Sequence, residues 1–343
     1  MRMRVPIFIL SPPRSYSSVV SSILGEHPEL HSFPELQIFK FQTIEELIKH
    51  EMKGTEADIE SLQRYGKGEK KPSNRIRPAP PGLLRAISFL HEGIQNEASL
   101  TRAWLWLLNN QTMNIDELFI YLCSGFEPAR CIEKSPTNSS CLKRLIRILK
   151  SFPDAKFLHL TRSCLPSLKS IDEFLQLKAV SSKPKFVINH PVMIWYKMHS
   201  TIKRFRQFLN SEQYLMIRGE DILSEPYNVL PCICEWIGIS ESRESVDFML
   251  QPEKSPYAFF GPPKIAGGND PKFMDSPKFR LRAQKSYNAN DIKSYFEIES
   301  NRWFLSTISG SEYSLARLKA MDRKILESIF SMERSLGYSD GML

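Results

Sequence analysis

Short apolar runs that stop at turn residues alternate along this chain with segments whose apolar residues recur every three or four positions. Val5-Pro-Ile-Phe-Ile-Leu10 ends at Ser-Pro-Pro-Arg14 and predicts a strand buried on both faces, closed by a sharp turn. After Ser15-Tyr-Ser-Ser18, the apolar positions Val19, Val20, Ile23 and Leu24 fall at helical spacing, and Gly25 stops them. The same grammar returns at Ala155–Leu160, followed by Thr161-Arg162 and a helix near Ser167 to Leu177. It returns again at Tyr214–Ile217, with a helix from Val229 to Ile237 after Pro226. Strands alternating with helices predict an α/β fold of three layers, a central parallel sheet flanked by helices.

Between the first two units, Arg64 to Pro81 is polar, basic and rich in Pro and Gly, so it reads as a loop or lid within an insertion spanning about residues 50–100. A second irregular stretch, Pro252 to Pro277, carries Gly261, Gly267 and Gly268 with Lys264 and Lys272. From Tyr313 to Leu336 the positions Leu315, Leu318, Met321, Ile325, Ile329 and Met332 predict an amphipathic helix packed on the domain. No repeat or low-complexity linker divides the 343 residues, so a single domain is expected.

Composition narrows the class. With 42% hydrophobic residues, Gly 15 and Pro 23, collagen-like and wholly disordered readings fall away. The net charge of +8 suits a partner bearing phosphate, sulfate or carboxylate, although an inert basic surface gives the same number. No apolar run reaches the roughly 20 residues of a membrane span, and Val5 to Leu10 is too short for a secretory signal core. The six cysteines are scattered without metal-ligand spacing and read as buried free thiols, so an intracellular, cytoplasmic, metal-free protein is expected.

The chemistry concentrates in two loops. Pro12-Pro13-Arg14-Ser15-Tyr16-Ser17-Ser18 stands where the N–H groups of a helix start converge on an anion, with hydroxyls and a guanidinium added. The alternative is that these serines only cap a helix. A Walker A loop needs Gly-x-x-x-x-Gly-Lys-Ser/Thr and a later strand-end Asp for magnesium; neither is present, which argues against a P-loop kinase. The later strand instead ends in Thr161-Arg162, with Ser170 eight residues beyond the Arg. Two anion sites at the carboxyl ends of neighbouring strands describe a nucleotide with phosphates at both ends, bound without a metal.

These motifs resemble a known family. Ile7-Phe-Ile-Leu-Ser-Pro-Pro-Arg-Ser-Tyr-Ser-Ser18 looks like the 5′-phosphosulfate loop of sulfotransferases that use 3′-phosphoadenosine-5′-phosphosulfate (PAPS), and Phe152 to Arg162 with Ser170 looks like their 3′-phosphate site. Ile217-Arg-Gly-Glu-Asp-Ile-Leu223 with Pro226 and Leu336-Gly-Tyr338 are similar to later motifs of the family. His27-Pro28, Pro34-Glu35-Leu36, Ile132-Glu-Lys-Ser-Pro136 and Gly268-Asn-Asp-Pro-Lys-Phe273 point to the subgroup of tyrosylprotein sulfotransferases and the sulfotransferase domains of polyketide and olefin synthases.

The resemblance implies a P-loop-like fold and transfer of a sulfuryl group from PAPS to a hydroxyl acceptor. It implies Glu35 as general base, Lys134 and Arg14 as stabilisers of the transferring group, and Arg162 and Ser170 as holders of the 3′-phosphate. Ser15, Tyr16, Ser17 and Ser18 would bind the donor with Arg14, and Gly267 and Gly268 would belong to a nucleotide-covering loop over 252–285. Without the resemblance, Glu35 is a surface carboxylate after a proline, and Glu133-Lys134 a solvated pair at a strand end. His159 reads as a core residue and His27 as a helix end. His190 and His199 flank Trp195 and Tyr196, an aromatic helix more suited to core packing than to an acceptor pocket.

Three departures stand out: Tyr16 where related loops carry Gly, Ser163-Cys164 where Asp-Pro commonly follows the Arg, and Gly219 where many relatives have a Tyr near the adenine. A Tyr at position 16 is expected either to adopt an ordinary dihedral or to distort the loop. These departures support an alternative, a catalytically silent nucleotide-binding or scaffold protein on the same fold. The resemblance to the synthase domains implies a hydroxyacyl group on a carrier protein as acceptor, with a hydroxyl-bearing small molecule left open. The basic Arg64 to Arg77 segment either meets an acidic carrier or contacts solvent only. No nucleic-acid partner is expected.

Overall fold

The computed structural model describes residues 4–51, 79–181, 191–262, 267–283, 287, 290–292, 294–295 and 327–338. Its centre is a parallel sheet of β1 (Ile7–Leu10), β2 (Leu30–Ser32), β3 (Arg130–Glu133), β4 (Lys156–Thr161) and β5 (Tyr214–Arg218), in the order β2-β3-β1-β4-β5. Register is set by Ile7 opposite Ile132 and Lys156, by His31 opposite Cys131, and by His159 opposite Met216. The α/β reading and its parallel sheet are therefore what the chain adopts. The sequence pattern located β1, β4 and β5 to within a residue or two and did not single out the three-residue β2.

Strand alternation distributes one sequence between two cores. Phe8, Leu10 and Phe157 enter a layer with Phe39, Phe119 and Phe152, while Ile7, Ile9, Leu158 and Leu160 face Val20, Ile23, Leu24 and Leu230. Burial on both faces explains why β1 reads as a continuous apolar run. Phe8 is fully buried and lies 5.5 to 6.0 Å, centre to centre, from four other phenyl rings, so truncating it to Ala is expected to cost about 3–5 kcal/mol.

Inside the expected 50–100 insertion, two helices, Pro81–Glu92 and Glu97–Asn109, bury Leu83, Leu84, Ile87, Leu100 and Leu107 in the first core. Pro81 opens the first of them at a position where its missing N–H is harmless. The expected 64–81 loop, up to residue 78, lies outside the described residues, as do His190, Lys264 and the anticipated C-terminal helix before residue 327. From 327 to 335 the chain is helical, and Ile329 and Met332, with Leu336 beyond, pack against Cys164, Leu165, Leu168 and Trp195.

The helix after β4 is longer than expected, Cys164–Ser181 rather than 167–177. Its start is capped from a distance. Glu333 Oε1 accepts the Cys164 N–H at 2.6 Å and the Ser163 hydroxyl at 3.1 Å, and Glu220 Oε1 accepts the Ser163 N–H at 3.0 Å. Two glutamates thus satisfy the helix donors beside Ser163-Cys164, where a carboxylate is also favoured by the helix dipole. Tyr338 joins them, donating to Glu220 Oε2 at 2.9 Å and meeting Thr161 Oγ1 at 3.0 Å.

Candidate active site

In a parallel sheet the loops beyond the strands' carboxyl ends collect side chains along one edge. Here β2 leads to Glu35, β3 to Lys134, β1 to Arg14 and β4 to Arg162, so spatial strand order sets a row of carboxylate, ammonium and two guanidiniums. Four segments far apart in sequence meet there because the sheet shuffles them.

At the β2–β3 end the polar groups are buried. Lys134 is wholly inaccessible; its Nζ donates to Ser18 Oγ at 2.9 Å and to Glu35 Oε1 at 3.3 Å. Burial lowers its pKa, and the neighbouring Glu35 carboxylate opposes that shift. Glu35 is about a quarter exposed; its other oxygen lies 3.4 Å from Gln37 Nε2, and its own N–H donates to the Gly268 carbonyl at 2.6 Å. Glu133 is also wholly buried. It accepts the Ser135 N–H at 3.0 Å, the Ser135 hydroxyl, and Asn138 Nδ2 at 2.6 Å, while Ser135 Oγ accepts the Gln37 N–H at 2.8 Å. Burial pushes the Glu133 carboxyl up to about 7 against the pull of those hydrogen bonds. The Glu133-Lys134 pair is therefore not solvated, contrary to the simplest sequence reading.

The β1 end is a loop under backbone strain. Arg14 and Tyr16 both have left-handed dihedrals, φ 67° and 63°, each costing roughly 1–3 kcal/mol for a side-chain-bearing residue. The helix that follows, Ser17–Gly25, has no side-chain cap at Tyr16 and no acidic residue in its first turn, leaving its first N–H groups without a side-chain partner among the described residues. Capping serines are thus not what this loop provides. Ser15 Oγ is buried without a described partner, and Ser18 Oγ accepts from both Lys134 and the Asp270 N–H, at 2.9 Å each, so its proton remains to be donated.

Tyr16 corrects the sequence expectation: it takes the left-handed conformation itself. Its ring lies 4.2 Å below the Arg162 guanidinium and 5.5 Å from that of Arg282. A side chain at position 219 would fall 2.7 Å from Tyr16 Cδ2. The two departures at 16 and 219 are therefore one, since Gly219 leaves the space that the Tyr16 ring occupies.

Of the predicted anion residues, Arg14, Tyr16, Ser18, Arg162 and Ser170 line one cleft of about 400 Å³, whereas Ser15 and Ser17, like Glu35 and Lys134, are not among its lining residues. Arg14 Nε donates to Ser170 Oγ at 3.0 Å, its guanidinium pairs with Asp270, and Arg162 Nη1 donates to the Arg14 carbonyl at 2.7 Å. The two anion loops are thus hydrogen-bonded to each other rather than separate. Gly267 and Gly268 sit beside Arg85 and the Glu35 backbone and are not among the residues lining this cleft.

The sequence assigns no role to Asp270, present there only as part of the 268–273 motif, nor to Lys169, Lys278, Arg280 and Arg282, all of which also line the cleft. The last three were legible as an alternation, Lys278-Phe-Arg-Leu-Arg282, which in extended chain sets the cations on one side. His159 and His199 form a buried pair at 2.9 Å behind the sheet, with His159 also 2.7 Å from the Tyr214 hydroxyl, so His199 does not face the cleft. Trp195 is wholly buried and donates to the Arg162 carbonyl at 3.2 Å. Of the cysteines four are buried, Cys141 is half-buried and Cys232 is exposed, a departure from the expectation that all are interior. Among the described residues no cluster of metal-ligating side chains and no helix long and apolar enough to cross a membrane is found.

Fold and site together define an α/β protein whose carboxyl-edge cleft gathers seven cationic side chains against two carboxylates among its described lining residues. The chain belongs to the sulfotransferase family, whose family model matches residues 6–243. Its fold is similar to the sulfotransferase domain from the curacin biosynthetic pathway, at TM-score 0.65 and 20% identity, covering 99% of this chain and 100% of that one. It is also similar to the sulfotransferase domain of the Synechococcus PCC 7002 olefin synthase, at TM-score 0.60 and 21% identity, covering 98% and 96%. A comparison with curated proteins finds no match.

Proposed function

We propose that this protein transfers a sulfuryl group from PAPS to an acceptor hydroxyl. The observation that carries the reading is the Glu35–Lys134 pair, joined through Ser18 to the uncapped start of the first helix. The donor supplies the sulfuryl group: a new S–O bond to the acceptor forms while the S–O bond to the nucleotide phosphate breaks. Glu35 takes the acceptor's proton, a contribution worth roughly 10²- to 10⁴-fold. Lys134, Arg14 and the helix N–H groups offset the negative charge that grows on the leaving side, at about 2.7–4 kcal/mol for each well-placed donor.

The donor set fits such a nucleotide. Ser15 Oγ and Arg162 Nε are buried without described partners, the Ser18 hydroxyl keeps a proton, and the lining cations outnumber the carboxylates. Arg162 and Ser170 hold the 3′-phosphate in this reading, with Ser17 and Ser18 at the phosphosulfate, and the Tyr16 ring lies beside them. The acceptor is a hydroxyl-bearing small molecule or a carrier-bound hydroxyacyl group, a choice supported by likeness to domains of two biosynthetic systems.

Turnover of labelled PAPS against a panel of hydroxyl compounds tests this. Label transfer without added magnesium is expected. Binding of the desulfated nucleotide with no transfer to any acceptor would favour the silent scaffold instead, and magnesium-dependent ATP binding would favour a kinase.

A further inference from the structure

Arg85, on the 81–92 helix, is a cation with about 2% of its surface exposed, and every described acceptor it reaches is neutral. Its Nε donates to Gln95 Oε1 at 2.5 Å, one terminal nitrogen to the Gly267 carbonyl at 2.9 Å, and the other to the Phe259 carbonyl at 2.7 Å. Gln95 extends the grip, donating from Nε2 to the Pro256 carbonyl at 2.6 Å. An apolar side chain would fill this space without desolvating a charge. What it would lack is the planar fork that binds two carbonyls at once, which a lysine ammonium does not reproduce either.

Those carbonyls belong to the backbone that holds the site. Next to Gly267 is Gly268, with φ 93°, whose carbonyl accepts the Glu35 N–H. Two residues further, Asp270 binds Ser18 through its N–H and Arg14 through its carboxylate. The contact also closes from the helix side. A Cβ on Gly268 would fall 2.8 Å from the Gly82 Cα, and one on Gly82 would fall 2.2 Å from the Glu35 carbonyl oxygen.

We propose that Arg85 is a positioning residue that fixes segments 256–260 and 267–270 against the 81–92 helix, thereby setting both the Glu35 backbone and the Asp270–Arg14 contact. The inference rests on the reading of Glu35 as the base. Loss of the guanidinium loosens the Glu35 backbone contact and the Asp270–Arg14 contact while leaving the strands intact.

The test uses the full chain with Arg85→Met and Arg85→Lys, reading amide hydrogen exchange alongside steady-state transfer from PAPS. For Arg85→Met the Glu35 amide and residues 256–260 and 267–270 are expected to exchange at least tenfold faster, with strand residues 157–160 unchanged. Turnover should fall at least tenfold, with a smaller rise in KM for PAPS, and Arg85→Lys should restore neither the turnover nor the parent exchange rates fully. Unchanged exchange at Glu35, or faster exchange with undiminished turnover, would overturn the proposal. If Arg85→Met does not fold, Gln95→Met, which removes one partner only, should accelerate the same amides about threefold, and no acceleration would overturn it. Glu35→Gln in the same assay separates the two ideas: retained turnover there sinks the base assignment, while the exchange result still reports on Arg85 itself.

Discussion

On the β4 side, the cleft is lined by exposed Lys272, Lys278, Arg280 and Arg282 and by half-buried Arg162; beyond the cleft lining, at the β2–β3 end of the same sheet edge, Glu133 and Lys134 are wholly inaccessible and the Glu35 side chain is about a quarter exposed. The largely buried Arg14 of the β1 loop lies between the two. The first arrangement suits the attraction of anions by many weak, solvent-screened charges. The second fixes a few charges in a dry setting where each hydrogen bond sets geometry. On the proposed function, the contrast puts capture and chemistry at opposite ends of one sheet edge, so that each is expected to be damaged without the other.

The largest expected effect comes from Glu35→Gln, which should lower turnover by roughly 10²- to 10⁴-fold while leaving affinity for the desulfated nucleotide within about threefold. Arg162→Ala is its mirror, weakening that affinity by about tenfold or more, in line with loss of a charge-assisted bond, with a smaller effect on saturated turnover. Steady-state kinetics paired with calorimetry reads both. If each variant impaired both quantities equally, the division of labour would be wrong.

The buried end also has its own pH signature. Glu133 carries a carboxyl near 7 in the fold against an ordinary 4.5, a difference worth about 3 kcal/mol. Because the folded value is raised, this stabilising contribution is complete below about pH 4.5 and is lost as pH rises through 7. Glu133→Gln lacks that dependence, so its stability relative to the parent should increase between pH 5 and 8 by up to about 3 kcal/mol. Asn138 Oδ1, buried without a described partner, can accept from the new amide once Asn138 flips. Denaturant unfolding at the two pH values measures it, and a constant difference would show that the carboxyl does not titrate there.

The Tyr16–Gly219 fit predicts a smaller effect. Gly219→Ala should destabilise by about 1–3 kcal/mol through overpacking against the ring, and Tyr16→Ser should relieve most of that loss in the double variant. Additive losses would mean that the ring and the glycine are not partners. Smallest of all, raising sodium chloride from 50 to 500 mM should weaken nucleotide affinity several-fold by screening the exposed cations, with turnover at saturation nearly unchanged.

Much of this was legible in the chain. The runs at Ile7–Leu10 and Phe157–Leu160 announce strands because burial on both faces removes alternation, and Arg14 and Arg162 stand directly after them, whereas Glu35 and Lys134 stand out only through the family resemblance. β2 escaped because three residues carry too little pattern, yet it carries the chain to Glu35. The Glu333 cap at Cys164, the Gly268 contact to Glu35 and the role of Arg85 depend on segments more than a hundred residues apart. No local periodicity encodes such meetings. The conformation of Tyr16 is not legible locally because its strain is local while its compensation, the Arg162 guanidinium and the gap at Gly219, is not.

Titration calorimetry of the folded protein with 3′,5′-bisphosphoadenosine, the desulfated donor, bears most directly on the row of side chains from Glu35 to Arg162. One site per chain with micromolar affinity in low salt, unaffected by chelator and weakened by Arg162→Ala, is the expected result. No heat of binding from material shown to be folded would contradict it.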